Sequence, residues 1–156
     1  MARRETAVGH ERPVRRRWLG GAVAGLLAGV VFGLYLQFVA GVLPATGGSG
    51  GTETLASDWA VHLFHSVVFA LVYAGLASWP RVEAVADRPA TGAILGAGYG
   101  VVVWAVAVAV AFAFWAVANG VWVLPIPSPS WVSLAGHVLY GAVLGVGFAA
   151  VRSRAA

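Results

Sequence analysis

Few side chains in this 156-residue sequence could do chemistry, and most of those that could lie inside long apolar runs. They are Gln37, His62, His65, Ser66, Tyr73, Tyr99, His137 and Tyr140. His62 and His65 are one helical turn apart, and the spacing Trp59-x5-His65 recurs as Trp131-x5-His137. An imidazole can donate or accept a hydrogen bond, ligate a metal, or carry a proton near neutral pH. Four chemistries are therefore open. Neutral histidines could hydrogen-bond across helices to Gln37, Ser66, a tyrosine or a carbonyl. His65 and His137 could hold a b-type haem, one axial imidazole each. His62, His65 and His137 could hold a divalent metal, with Asp58 or water as fourth ligand. The same groups could form the proton- or substrate-handling site of a small transporter. The first needs no cofactor, and is the expectation.

Other chemistries lack their parts. With no cysteine there is no thiol nucleophile, Cys-ligated zinc or disulfide framework. No P-loop, no Ser/His/Asp set at a common depth and no paired intramembrane carboxylate occurs. Kinase, hydrolase and nucleotide-binding activities are not expected, and the chain reads as non-enzymatic: structural, regulatory or sensory.

The elements that position these residues follow from composition. Apolar residues make up 60% of the chain and charged residues 10%, where a soluble domain carries roughly a quarter charged. A helix needs about 20 apolar residues to cross a bilayer, and residues 18–42, 58–79, 91–119 and 131–151 qualify. Between them fall Pro44 with the Gly47–Gly51 run, Pro80 and Pro89, and Pro125, Pro127 and Pro129, which cannot continue a helix. The third span, at about 43 Å, must tilt or project.

All ten basic residues are arginines, and all fall on one side of this arrangement. Six precede the first span, Arg81 and Arg88 lie between the second and third, and Arg152 and Arg154 follow the fourth. The positive-inside rule then makes both termini cytoplasmic in a multi-pass protein of the cell membrane. Trp18 and Trp79 would mark the inner boundary, and Trp59, Trp122 and Trp131 the outer one. Arg15-Arg16-Arg17 also resembles a twin-arginine signal core, but the apolar run after it is too long for a signal peptide. Clustered arginines without stacking aromatics give no reason to expect nucleic acid.

The chain also repeats. Residues 21–31 align without gaps on 92–102 at a shift of 71, and Trp59 and His65 fall on Trp131 and His137 at a shift of 72. The expected fold is an all-α membrane protein whose four transmembrane helices form two tandem two-helix repeats, 18–79 and 91–151, related by a pseudo-two-fold axis along the membrane normal. Residues 1–17 form a basic cytoplasmic leader and 153–156 a tail. Gly21, Gly25, Gly29 and Gly33, then Gly92, Gly96 and Gly100, then Gly141 and Gly145 recur every fourth residue. Such ladders let helix backbones approach closely in lipid, within the chain or between copies in a homo-oligomer. Gln37, His65 and His137 all fall about 8–11 Å below the outer span ends, so a polar layer in the outer half is expected, with His65 and His137 in equivalent places.

Trp59-Ala60-Val61-His62-Leu63-Phe64-His65-Ser66 and the segment from Gly136 through His137 and Tyr140 to Gly145 resemble a group of uncharacterised small four-span membrane proteins of halophilic archaea. Members are often labelled histidine kinases. The resemblance implies the four-span architecture and grants no active site; the label has no nucleotide-binding domain here to support it.

Overall fold

The computed structural model describes the backbone of residues 3–41, 55–119 and 130–153, and side chains over 17–41, 55–110 and 130–153. The loops holding Pro44, Gly47–Gly51, Glu53, Trp122, Pro125, Pro127 and Pro129 lie outside the described residues, as does Arg154. Helix α1 is Arg3–Tyr35, continued by a π-helical turn at Leu36–Ala40; α2 is Leu55–Ala77, α3 Glu83–Ala86, α4 Pro89–Asn119 and α5 Trp131–Ser153. The architecture is all-helical. Four stretches, Arg17–Ala40, Leu55–Ala77, Pro89–Val110 and Trp131–Ser153, are long and apolar enough to cross a membrane. Their outer faces carry bare apolar side chains such as Phe38, Phe64 and Ile94, each about two-thirds exposed or more. Lipid accepts such faces at no hydrophobic cost, and water does not.

Packing follows the small residues. α1 lies against α2 on one side and α5 on the other, α5 lies against α4, and α2 and α4 meet only sparingly. Along α1, Gly21 backs onto Ala74, Gly25 onto Ala70, Gly29 onto Ser66 and Gly33 onto Trp59. Along α4, Gly92 backs onto Gly145, Gly96 onto Gly141 and Gly100 onto the His137 carbonyl. A Cβ on Gly96 or Gly100 would strike facing backbone, which a side-chain rearrangement cannot relieve, and one on Gly92 would press on it at 3.0 Å. The ladder glycines are thus spent within one chain. α1 turns a second ridge to α5, with Ala24 against Gly147 and Phe32 against Gly136.

Tyr73, Leu144 and Phe148 are the largest fully buried side chains. The Tyr73 ring meets Phe148 edge-on at 5.6 Å and Tyr99 at 5.3 Å. Below them, at the end of the bundle that holds Arg17 and Ser153, the α2–α4 connection is fastened by charge. Arg17 Nη2 donates to Glu83 Oε1 at 3.0 Å, and Arg152 Nη2 donates to the same oxygen. Arg152 Nε lies 2.9 Å from Asp87 Oδ1. The four charges balance, and the guanidinium of Arg152 also sits over the Phe148 ring.

Two features depart from the sequence-based outline. The arginine-rich leader is helical and continuous with the first span: α1 begins at Arg3 and carries Gly9 and Pro13 within it. At its far end α1 widens into the π-turn. Gly41, at φ 66°, donates its N–H to the Leu36 carbonyl and closes that turn in a left-handed conformation suited to glycine.

Candidate functional site

The sparse meeting of α2 and α4 leaves an opening, and the polar residues gather on it. Towards the Leu55 and Trp131 ends of the bundle lies a cavity of about 350 Å³. α2 lines it with Asp58, Val61, His62, His65, Ser66 and Phe69, and α5 with Ser133, His137 and Tyr140. Phe32 and Leu36 of α1 and Val103 and Ala107 of α4 supply the remaining wall. Histidine, serine and aspartate here share α2 positions one turn apart, since 58, 62, 65, 66 and 69 fall on one helical face.

Helix carbonyls fix most of these groups. Tyr140 Oη donates to the Ser66 carbonyl at 2.6 Å, and Tyr99 Oη donates to the Phe69 carbonyl at 2.7 Å, tying α5 and α4 to α2. Ser66 Oγ donates to the His62 carbonyl within α2. His62 Nε2 lies 2.9 Å from the Gly29 carbonyl, and His137 Nδ1 lies 2.8 Å from the Ser133 carbonyl. A carbonyl only accepts, so His62 carries its bonded proton on Nε2 and His137 on Nδ1. In the neutral rings this leaves His62 Nδ1 and His137 Nε2 as acceptors. The Phe32 ring stands between them, 5.4 Å from His62 and 4.8 Å from His137, edge-on to both.

Asp58 is the exception. The residue is 3% exposed, yet among the described residues Oδ1 has no hydrogen-bond partner. A buried polar atom without a partner is costly, and such atoms are uncommon enough to require a reason.

The sequence-predicted residues divide accordingly. His62, His65, Ser66, His137 and Tyr140 come together around the cavity. Gln37 does not border it: Oε1 accepts from Trp59 Nε1 at 2.9 Å and braces the π-turn of α1 against α2. His65 is exposed at the rim, its ring edge-on to Phe64 at 5.7 Å. The residue that faces Gly29 as His137 faces Gly100 is Ser66, one position beyond His65. His62, not His65, makes the contact between helices.

Among the described residues no three His, Asp or Glu side chains converge as metal ligands. Beside His137, Gly96 and Gly100 are in contact with the α5 backbone, and the Phe32 ring lies edge-on to both His62 and His137. Sequence reasoning underweighted Asp58, which stands near a span end, and passed over Phe32, Phe69 and Ser133. Asp58 had a signal, being the one acidic residue on the helix face that holds the histidines. The chain matches no protein-family model, and no curated protein and no solved structure shows significant similarity to it.

Proposed function

We propose that this chain is a non-enzymatic, ligand-binding integral membrane protein of sensory or regulatory type, with the cavity between α2 and α4 as its binding site. One observation carries this: a cavity of about 350 Å³ holds polar groups from two helices between aromatic and aliphatic walls. That volume lies in the range of small-molecule sites, roughly 300–1,000 Å³. The imidazoles and hydroxyls are bonded to helix carbonyls and not set against one another as nucleophile and base, which favours binding over catalysis. Transport is the weaker alternative. The buried Tyr73, Leu144 and Phe148 close the bundle between the cavity and the charged end.

The proposal includes an orientation and an ancestry. Arg17, Arg81, Arg88 and Arg152 belong to the end of the bundle that holds Glu83, which supports cytoplasmic termini and an outward cavity. Two tandem hairpin repeats are supported by contact register. Gly21–Ala74, Gly25–Ala70 and Gly29–Ser66 become Gly92–Gly145, Gly96–Gly141 and Gly100–His137 at one common shift of 71. The units join unequally, α1 fully on α5 but α2 barely on α4, and this lapse from two-fold symmetry is what opens the cavity.

The test uses a neutral small aromatic, 2-phenylethanol, added to the detergent-solubilised protein while thermal unfolding is followed. Wild type should be stabilised in a saturable way, and Ala107→Phe, which fills the cavity from α4, should not respond. No saturable shift in wild type would remove the proposal.

A further inference from the structure

Resting on the cavity as a binding site, we infer that its ligand is a protonated amine with an apolar body, and that Asp58 receives the ammonium. Asp58 Oδ1 is buried, borders the cavity and has no partner among the described residues. Its position in the first turn of α2 lets the helix dipole support a carboxylate, but a dipole supplies no hydrogen to that oxygen. Among the described residues no group supplies that donor, and an occupant of the cavity would.

The neighbours narrow the class. His62 and His137 have their N–H groups committed to carbonyls, so their other ring nitrogens present lone pairs when neutral. Tyr140 and Ser66 have likewise spent their hydroxyl protons on carbonyls. Ser133 and the rim residue His65 also border the cavity and each keeps a proton to donate, but neither bonds Asp58 Oδ1, so the buried carboxylate still asks for a donor. An anion or a ligand of acceptors alone would meet the Asp58 charge unpaired. A hard metal ion needs six or so oxygen ligands, and among the described residues Asp58 is the single carboxylate on this cavity. An ammonium carries up to three donors and the complementary charge. Phe32, Phe69, Val61 and Val103 form the apolar wall that would cover the rest of the molecule.

Two sources present this chemistry, a soluble amine and the headgroup of an aminophospholipid. The experiment compares 2-phenylethylamine with 2-phenylethanol by calorimetric titration of the whole protein in a neutral maltoside detergent at neutral pH. The amine should bind roughly tenfold more tightly than the alcohol, the scale of one charge-assisted hydrogen bond, and Asp58→Asn should erase the difference while the alcohol still binds. Equal affinities in wild type would overturn the inference and leave the cavity proposal standing. Failure of both probes would remove both. Because the amine-to-alcohol ratio is read on wild type, the test survives an Asp58→Asn protein that does not fold. In a second arm, phosphatidylethanolamine that competes with the amine identifies a lipid headgroup as the source, and an unchanged affinity identifies a soluble amine.

Discussion

Gly96 and Gly141 meet backbone to backbone, each occupying the space where a Cβ of the other would lie. In lipid there is little hydrophobic drive between helices, so the α4–α5 pair depends on this approach and the dispersion it permits. Gly141→Ala forces the helices apart along Gly92, Gly96 and Gly100 together. The expected loss is about 1–3 kcal/mol, read as lower thermal stability in detergent. Gly98→Ala is the control, since nothing lies within 4 Å of an added Cβ there. It should be neutral or slightly stabilising.

The two buried tyrosines should respond oppositely to loss of the hydroxyl. Tyr140 Oη bonds the Ser66 carbonyl and holds α5 to α2, whereas the buried Tyr73 Oη has no partner among the described residues. Tyr140→Phe should cost about 0.5–1.5 kcal/mol. Tyr73→Phe removes an unsatisfied polar atom and should be neutral or stabilising. Chemical denaturation of both variants in one detergent checks the pair, and equal losses would show that Tyr73 is bonded.

Much of this arrangement was legible in the sequence. The spans follow from apolar length and the boundaries from proline, and all four membrane-length helices fall where these place them. The fourth-residue glycines marked packing faces, but a ladder does not name its partner. Only the structure pairs Gly96 with Gly141 and Gly25 with Ala70. The histidines stood out because imidazole is rare in an apolar span, and three of them do border one cavity. Their roles were not legible. A Trp-x5-His match at a shift of 72 favoured His65, while the helix contacts run at 71 and bring Ser66 to the place equivalent to His137. Phe32 looked like any apolar residue of α1. Its position between two imidazoles depends on how α1, α2 and α5 rotate against one another, which no local pattern encodes.

Stability should depend on pH through the charged cluster at the end that holds Arg17 and Arg152. The hydrogen bond from Arg152 holds the Glu83 carboxyl below its ordinary value of 4.5, against the opposing effect of burial, and the charges of Arg152 and Arg17 add to the depression. A carboxyl whose folded value is depressed contributes stability above its unfolded value and loses it as pH falls through the folded one. Wild type should therefore be more stable than Glu83→Gln near neutrality, and the two melting temperatures should converge as the pH falls below about 4.5. High salt should shrink the gap at neutral pH, since these side chains are partly exposed.

Asp58 should weaken the empty protein. The helix dipole returns about 0.3–1 kcal/mol to a carboxylate in the first turn of α2, but a buried unpartnered polar atom costs about 1–3 kcal/mol, and more when charged. The second effect is larger, so replacing the carboxylate with an apolar group of similar size should stabilise the unliganded chain. Asp58→Leu should unfold at higher temperature than wild type without added ligand, by an amount equivalent to about 1–2 kcal/mol. Asp58→Asn should lie between them, because it removes the charge and keeps an unsatisfied amide. A binding residue retained at the expense of stability is the usual mark of a functional site. A fall in stability for Asp58→Leu would instead make the carboxylate a structural group already satisfied in the folded chain, and with that its availability to an ammonium would be lost.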